Sequence, residues 1–328
     1  MIEEIARDLY RISVPLPDSP LKELNSYFIR GAERDLLIDT GFRCEECRQA
    51  LGDGLRELGS AADRRDVFIT HLHFDHIGMA DLFVGKDCHI FLSKTDLDYM
   101  HGLMYGDTKQ IRRGRFLQEG FPEELLRYIE HQGPAWTMTI PQITSRFQGL
   151  LPGDKLLVGD YCLRMLLVPG HTPGNTMLWA ENQGIMFTGD HVLFDITPNI
   201  TAWLNIPDSL GNYLDSLRYA RSFPVRLALP GHRKSGAYHE RIDTLLLHHD
   251  MRLQEILRII KSASGLTAYE ITGRMKWRIR ARNWDEFPAI QKWFAVGECL
   301  AHLDYLLNRG GIYREYQDDV WYYRISGN

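Results

Sequence analysis

Four potential metal ligands fall within one hexapeptide, His-Leu-His-Phe-Asp-His, at residues 71–76. Imidazole and carboxylate groups at this density are costly to bury unless a metal ion satisfies them. The apolar run at 67–70 predicts a buried strand that ends at the cluster, and a helix is expected from about Met79. The hexapeptide should therefore lie on a loop at the end of a strand, where functional residues are often found. The four side chains are His71, His73, Asp75 and His76.

The same succession of an apolar strand and a polar ligand recurs three times later in the chain. Predicted strands at 163–168, 185–188 and 227–229 each lead into a short turn that carries a histidine or an aspartate. These turns add His171, Asp190 and His232. A single zinc ion takes about four ligands, and catalytic sites keep one position open. Seven ligand-competent side chains therefore predict two ions, an arrangement that can activate water and polarise a substrate oxygen.

Length and composition are those of an ordinary globular protein. The chain has 328 residues, enough for two domains, or one large domain with an appendage. Its net charge of −5 does not point to nucleic acid or an anionic membrane as partner. The sequence has no apolar run of about 18 residues, which predicts no membrane-spanning helix. The N-terminal residues lack an apolar signal core, which predicts a cytoplasmic protein.

Cys44 and Cys47 form a CxxC motif at the start of a helix predicted over 43–58. Such a motif can be half of a zinc site or a redox pair. The sequence contains five scattered cysteines, an odd number, and no second CxxC. Free structural cysteines are therefore the favoured interpretation in a reducing cytosol.

A helical insertion is predicted over residues 95–150, where apolar residues recur at helical spacing between Gly and Pro. The spacing predicts two to four helices. A helical insertion after a metal loop is a candidate cap over the substrate; the alternative is a packing subdomain without substrate contact. The apolar side chains available for a cap include Met100, Met104, Tyr105, Phe116, Trp136 and Met138.

The C-terminal part predicts a second domain. An amphipathic connecting helix is expected over 241–262. In the tail, 263–328, a helix precedes two short β-runs, the order expected of a winged-helix-like unit. The predicted organisation is thus a catalytic domain over 1–240, the connecting helix, and a winged-helix-like domain over 263–328.

Together the motifs resemble those of the metallo-β-lactamase superfamily of binuclear hydrolases. The hexapeptide matches the family's HxHxDH motif, and the later motifs follow in the family's order. They are Pro169-Gly170-His171, Thr188-Gly189-Asp190 and Pro230-Gly231-His232, preceded by Asn25-Ser26-Tyr27 and Leu37-Ile38-Asp39-Thr40-Gly41 in the opening strands. The resemblance covers about residues 1–240. It implies an α/β fold, an αββα sandwich with the metal site at one edge.

The resemblance also implies roles for individual residues. Asp190 would bridge two divalent ions, zinc in the first place, with iron or manganese as alternatives. Asp75 would also orient the attacking hydroxide or act as general base. Asp39 is either a partner to a ligating histidine or a turn-capping residue, and His191 lines the pocket, shuttles a proton or has no role in the site. The implied ligands are His71, His73 and His171 for the first ion, and Asp75, His76 and His232 for the second.

Two positions indicate the reaction class. The zinc β-lactamases carry Cys or Ser near the position of Asp190, so β-lactam hydrolysis is not expected. The flavodiiron oxidoreductases carry a carboxylate where this chain has His73, which favours hydrolysis. The pattern is more similar to the glyoxalase II-like branch. It implies a metal-dependent hydrolase in which a metal-bridging hydroxide attacks a small ester or thioester.

The alternative is a phosphodiesterase or endoribonuclease whose C-terminal domain binds nucleic acid. Residues 274–282 hold five cations around Trp277, and Trp284 follows. Cations can follow phosphates and a tryptophan can stack on a base. The competing interpretation is a solvated face with a core tryptophan, a lid or a homodimer contact.

Overall fold

A computed structural model describes residues 1–132, 141–263, 265–278 and 281–327 of the chain. Trp136 and Met138, named above, and Arg280 of the cationic segment 274–282 lie outside the described residues, as do the side chains of Met104 and Tyr105. The described chain forms two units. The first contains Met1–His101, Pro134–Pro198 and Ser216–Ile242; the second contains Gly102–Gly133, Asn199–Asp215 and Asp243–Asn328. The predicted insertion is thus shared between them, and the predicted domain bounds stay a prediction.

The first unit begins with a seven-stranded sheet in sequential strand order. Its first four strands are antiparallel, and the last three join in parallel. Tyr27 of the third strand pairs with Ile38 of the fourth. Helix α1 (Glu45–Glu57) makes the crossover between the fourth and fifth strands. The strands are β1 (Ile2–Ala6), β2 (Leu9–Pro15), β3 (Glu23–Ile29), β4 (Asp35–Ile38), β5 (Arg65–Phe68), β6 (Ile90–Ser93) and β7 (Phe147–Leu150).

A second, five-stranded sheet completes the first unit. Its strands are β8 (Lys155–Val158), β9 (Tyr161–Leu167), β10 (Thr176–Ala180), β11 (Ile185–Gly189) and β12 (Leu227–Pro230). Their order in the sheet is β12-β11-β10-β9-β8. The first four strands in the chain are antiparallel, and β12 pairs in parallel with β11. A parallel pair needs a crossover, and helix α7 (Ser209–Arg221) lies on that connection.

The hydrophobic core of the first unit lies between the two sheets. Successive side chains of a strand point to opposite faces, so every second residue faces the core. The first sheet contributes Tyr27 and Ile29, and the second contributes Leu163 and Met165, all buried in one cluster. Helix α1 buries Cys47, Leu51 and Leu55 and approaches Ile12 of β2 so closely that only glycine fits at position 54. The predicted sandwich is confirmed.

The second unit is mainly helical. Glu119, which follows α5 (Thr108–Gln118), accepts a buried hydrogen bond from the Tyr323 hydroxyl at 2.8 Å and pairs with Arg314 at 3.2 Å. Arg115 of α5 pairs with Asp304 of α10 (Ala289–Asn308) at 2.6 Å. These contacts join the inserted helices to the C-terminal helix and hairpin. The elements are α4 (Lys94–Tyr105) and α8 (Tyr238–Ser262), both shared with the first unit, α5 (Thr108–Gln118), α6 (Glu123–Gln132), α9 (Ala268–Arg274), α10 (Ala289–Asn308), β13 (Ile312–Gln317) and β14 (Val320–Ile325).

The tryptophans of the cationic segment make contacts within the second unit. The Trp277 indole N–H donates to the Thr272 carbonyl at 2.9 Å, and the Arg252 guanidinium lies 4.1 Å from its ring centroid. Trp284 packs against Tyr269 and Phe287. Both rings therefore serve packing. Among the described residues, no helix has the length and apolarity needed to cross a membrane.

Candidate metal centre

The seven predicted ligands come from the ends of β5, β9, β11 and β12. His71 follows β5, His171 lies between β9 and β10, Asp190 directly follows β11, and His232 follows β12. Asp75 and His76 lie in a one-turn helix, α2 (Phe74–Ile77), and not on the loop that we predicted. The cause is local: His73 is extended, and its carbonyl accepts the backbone N–H groups of His76 and Ile77. The turn directs the two side chains of α2 back toward the end of β5.

The ligand atoms of these side chains form three overlapping groups, each within 4.8 Å. Asp190 lies in the middle: its Oδ1 is 3.5 Å from His76 Nε2, and its Oδ2 is 3.4 Å from His232 Nε2 and 3.7 Å from His171 Nε2. One carboxylate thus faces histidines on both sides. The three groups are His71, His73 and His171; His71, His76 and Asp190; and Asp75, His76 and His232.

Several of these atoms are buried without a hydrogen bond. His76 and His232 are 0 % exposed and Asp190 is 6 % exposed. Within the described part of the chain, His76 Nε2, His232 Nε2 and Asp190 Oδ1 have no hydrogen-bond partner. Buried polar atoms are normally satisfied. Unsatisfied imidazole nitrogens and a carboxylate oxygen that converge on one volume fit the donor set of a divalent metal ion.

Hydrogen bonds on the outer side of the cluster fix the histidine rings. Asp39 Oδ2 lies 2.8 Å from His76 Nδ1, and the Glu23 carbonyl lies 2.8 Å from His232 Nδ1. A carbonyl or carboxylate oxygen can only accept, so each Nδ1 carries a proton, and Nε2 is the nitrogen that faces inward and can offer its lone pair once its own proton is lost. Thr70 donates its hydroxyl to Asp39 at 2.8 Å and its backbone N–H at 2.8 Å. Asp39 has a left-handed backbone, φ 61°, so it both closes the turn and orients a histidine.

Asp96 is a supporting residue that the sequence analysis missed. It is fully buried in the first turn of α4. Its Oδ2 accepts from Leu72 N at 3.0 Å and from the Thr172 hydroxyl at 2.8 Å, and its Oδ1 accepts from Gly174 N at 2.6 Å. It therefore ties the loop of His71 to the loop of His171. The available signal was Ser-x-x-Asp at residues 93–96, a pattern typical of a helix start, where Asp96 N donates to the Ser93 hydroxyl at 3.0 Å.

Hydrogen bonds from Asn25 fix the turn that carries His232, and position 231 of this turn admits no residue larger than glycine. Asn25 donates its amide to the carbonyls of Pro230 at 2.9 Å and Arg233 at 2.8 Å. A Cβ at position 231 would lie 2.6 Å from Asp190 Oδ1 and 2.9 Å from His76 Cε1. Glycine is therefore required where this turn passes the cluster.

The ionised carboxylates of the cluster favour the binding of a cation. Burial opposes charge on every member, yet His232 and His76 hold the pKa of Asp190 well below its usual range. Burial likewise opposes a charged His232, but Asp190 and Asp75 raise its pKa to about 10. Burial and then the neighbouring His171 lower the pKa of His73 to about 3. Ionised carboxylates beside both neutral and protonated imidazoles are suited to exchange protons for divalent cations.

His191 is fully buried beside Asp190, and its backbone N–H donates to the Thr188 carbonyl at 3.0 Å. Burial lowers the pKa of its imidazole to about 3, so the ring is neutral at physiological pH. The structure therefore brings the seven predicted ligands together, gives Asp39 a contact with His76, and places His191 in the interior.

Comparison with known proteins identifies the family of both parts of the chain. The profile of the metallo-β-lactamase superfamily matches residues 23–232, and that of the metallo-β-lactamase-like C-terminal domain matches residues 253–326. The human acyl-coenzyme A thioesterase MBLAC2 is 27 % identical over 63 % of this chain and 72 % of its own length. The probable metallo-hydrolase YqjP of Bacillus subtilis is 23 % identical over 97 % of this chain and 98 % of its own.

Among solved structures, the metallo-β-lactamase family protein TTHA1429 from Thermus thermophilus matches with a TM-score of 0.82. It is 28 % identical, and the match covers 98 % of this chain and 100 % of that one. Both units of the chain therefore have a counterpart in a single solved relative.

Proposed function

The chain belongs to the metallo-β-lactamase superfamily and is a metal-dependent hydrolase, and we propose that it cleaves a small ester or thioester at a two-metal centre. The observation that carries this proposal is the position of Asp190. Its two carboxylate oxygens face different histidines, His76 on one side and His171 and His232 on the other.

The ligand sets follow from the groups of converging atoms. Asp190 is the shared ligand. Bound divalent cations would supply a water molecule of lowered pKa and would polarise the substrate carbonyl. Imidazole-rich sites with carboxylates suit zinc, with iron or manganese as alternatives. The proposed ligands are His71, His73 and His171 on one side, and Asp75, His76 and His232 on the other.

Asp75 is the proposed catalytic residue. Burial works against its charge, but His76 and His232 lower its pKa to about 2, so it is ionised at neutral pH. A carboxylate in this state can accept a hydrogen bond from the attacking water and orient it toward the carbonyl carbon. His191, neutral and buried beside Asp190, remains a candidate for the wall of the pocket.

A thioester is the preferred substrate class. The human relative MBLAC2, at 27 % identity, is an acyl-coenzyme A thioesterase. That likeness supports a glyoxalase II-like hydrolase over a β-lactamase. For the C-terminal domain we infer a winged-helix-like fold, supported by the order α9, α10, β13, β14 and by the hydrogen bond from Tyr323 N to the Leu266 carbonyl at 2.8 Å.

The test is a substrate panel on metal-loaded protein: an acyl-coenzyme A thioester, a small lactone, bis(p-nitrophenyl) phosphate, a β-lactam and single-stranded RNA. The thioester or the lactone should be hydrolysed fastest. His171→Ala should abolish this activity, and His89→Ala, which changes a histidine half-exposed on the surface, should leave it intact. Fastest cleavage of the phosphodiester or the RNA, or full activity in His171→Ala, would contradict the proposal.

A further inference from the structure

Cys44 and Cys47 form a thiol pair at the start of α1, outside the cluster of metal ligands. Cys44 is the N-cap residue, with an extended backbone, and Cys47 lies in the first helical turn. Their sulfur atoms are 3.2 Å apart, with the Cys44 thiol donating to Cys47 Sγ. The Cys47 thiol donates in turn to the Pro15 carbonyl at 2.9 Å. Both thiols are free, as the sequence favoured, but they are in direct contact.

The two thiols differ in access. Cys44 is half-buried, while Cys47 is fully buried. Burial, together with the neighbouring Cys44, raises the pKa of the Cys47 thiol well above its usual range. A reagent from solvent therefore meets Cys44 first.

The pair can close with small movements at the start of the helix. A disulfide needs an S–S distance of about 2.05 Å and Cβ atoms about 3.5–4.5 Å apart. Cys44 is the extended N-cap residue, so the Cβ spacing of about 5–6 Å between residues three apart in a regular helix does not apply to this pair. The sulfurs are already 3.2 Å apart, and a further approach of about 1 Å, through side-chain rotation and adjustment of the N-cap residue, forms the bond.

We propose that Cys44 and Cys47 are an oxidisable dithiol that a small-molecule disulfide converts into an intramolecular disulfide. The Cys44 thiolate attacks one sulfur of the small disulfide, whose S–S bond breaks and releases one thiolate. Cys47 then loses its proton and attacks Cys44 Sγ, which forms the internal bond and releases the second thiolate. Two protein thiols are oxidised and one small disulfide is reduced to two thiols.

The experiment treats the folded, metal-loaded protein with oxidised glutathione, blocks remaining thiols and analyses tryptic peptides by mass spectrometry. Cleavage after Arg43 and Arg48 releases both cysteines on one peptide, 44–48. That peptide should lose two hydrogens and resist alkylation until a reductant is added. Cys162, half-buried in β9, is the internal control and should yield only a glutathione adduct or free thiol. A peptide 44–48 that stays fully alkylatable, or carries glutathione as its end product, would overturn the proposal.

Two variants test the order of events. Cys47→Ser should stop at the first step, so glutathione accumulates on Cys44. Cys44→Ser should leave Cys47 at least ten-fold slower to react than Cys44 in the wild type, since its thiol is buried. Equal rates in the two variants would show that the pair does not act in this order. The wild-type peptide decides the main question even if a variant folds poorly.

Discussion

Asp39→Asn should weaken metal binding by about five- to a hundred-fold while the fold is retained. The side chain keeps its shape, and asparagine tolerates the left-handed backbone at this position. Of the two oxygens of Asp39, Oδ1 accepts from the Thr70 backbone N–H at 2.8 Å, so the amide oxygen must stay there. The amide nitrogen then faces His76 Nδ1, where Oδ2 now lies 2.8 Å away.

A donor at that position changes the tautomer of His76. The ring can move its proton to Nε2, the atom that faces Asp190 at 3.5 Å, and a protonated Nε2 can no longer bind a metal. Otherwise the Nδ1–H of His76 and the amide N–H of the new asparagine face each other as two donors without an acceptor. The cost is that of one unsatisfied buried group, about 1–3 kcal/mol. At about 1.4 kcal/mol per tenfold change this gives about five- to a hundred-fold in Kd, in line with the usual effect of losing a partner to a ligating histidine.

The assay is competition for zinc between the protein and a chelator of known affinity. Asp35→Asn is the matched control: Asp35 is also a buried aspartate, at 4 % exposure, but it accepts from Gly31 N and the Ser60 hydroxyl. Asp35→Asn should lower stability and leave zinc affinity unchanged. If Asp39→Asn bound both equivalents of zinc as tightly as the wild type, the assignment of His76 and of its orienting partner would be wrong.

Further predictions concern other parts of the structure. Asp96→Ala should lower the free energy of unfolding by about 3 kcal/mol in urea denaturation, because three buried donors lose their acceptor; an unchanged midpoint would refute this. Gly231→Ala should reduce hydrolysis at least ten-fold with an unchanged circular dichroism spectrum, since the new methyl group would lie 2.6 Å from Asp190 Oδ1; normal turnover would contradict the proposed cluster. Burial raises the pKa of the Glu119 carboxyl from 4.5 to about 7, although the hydrogen bond from Tyr323 and the charge of Arg314 act to lower it. The folded state thus binds this proton more tightly, so the contribution of Glu119 to stability is complete below about pH 4.5 and declines, by up to about 3 kcal/mol, as pH rises to about 7. Glu119→Gln should flatten this slope, and an equal slope in both proteins would exclude Glu119 as its cause.

The ligand residues could be predicted from local patterns, and the sandwich from the family resemblance that those motifs carry. Each ligand group follows an apolar run, and the ends of strands from both sheets bring these residues together. In β9 the buried residues Leu163 and Met165 follow partly exposed neighbours, which indicates the face of that strand that meets the core. Strands β3 and β4 are buried on both faces, so their sequences do not distinguish the two.

What the sequence did not predict depends on long-range contacts. Asp96 has no ligand spacing, and its role arises only because Leu72 and Gly174, distant in the chain, both donate to it. The grouping of the inserted helices with the C-terminal part rests on pairs such as Glu119 with Tyr323. Neither partner is distinctive by itself. The one-turn helix α2 was missed because four residues are too short to show a helical period.

The central claim is a hydrolytic centre that needs two divalent ions around Asp190. The most direct measurement is the rate of acyl-coenzyme A hydrolysis by chelator-stripped protein as zinc is added back in known amounts. We predict no hydrolysis without metal and a rate that saturates at two equivalents per chain. Full activity after chelation, or saturation at one equivalent, would contradict the two-metal account.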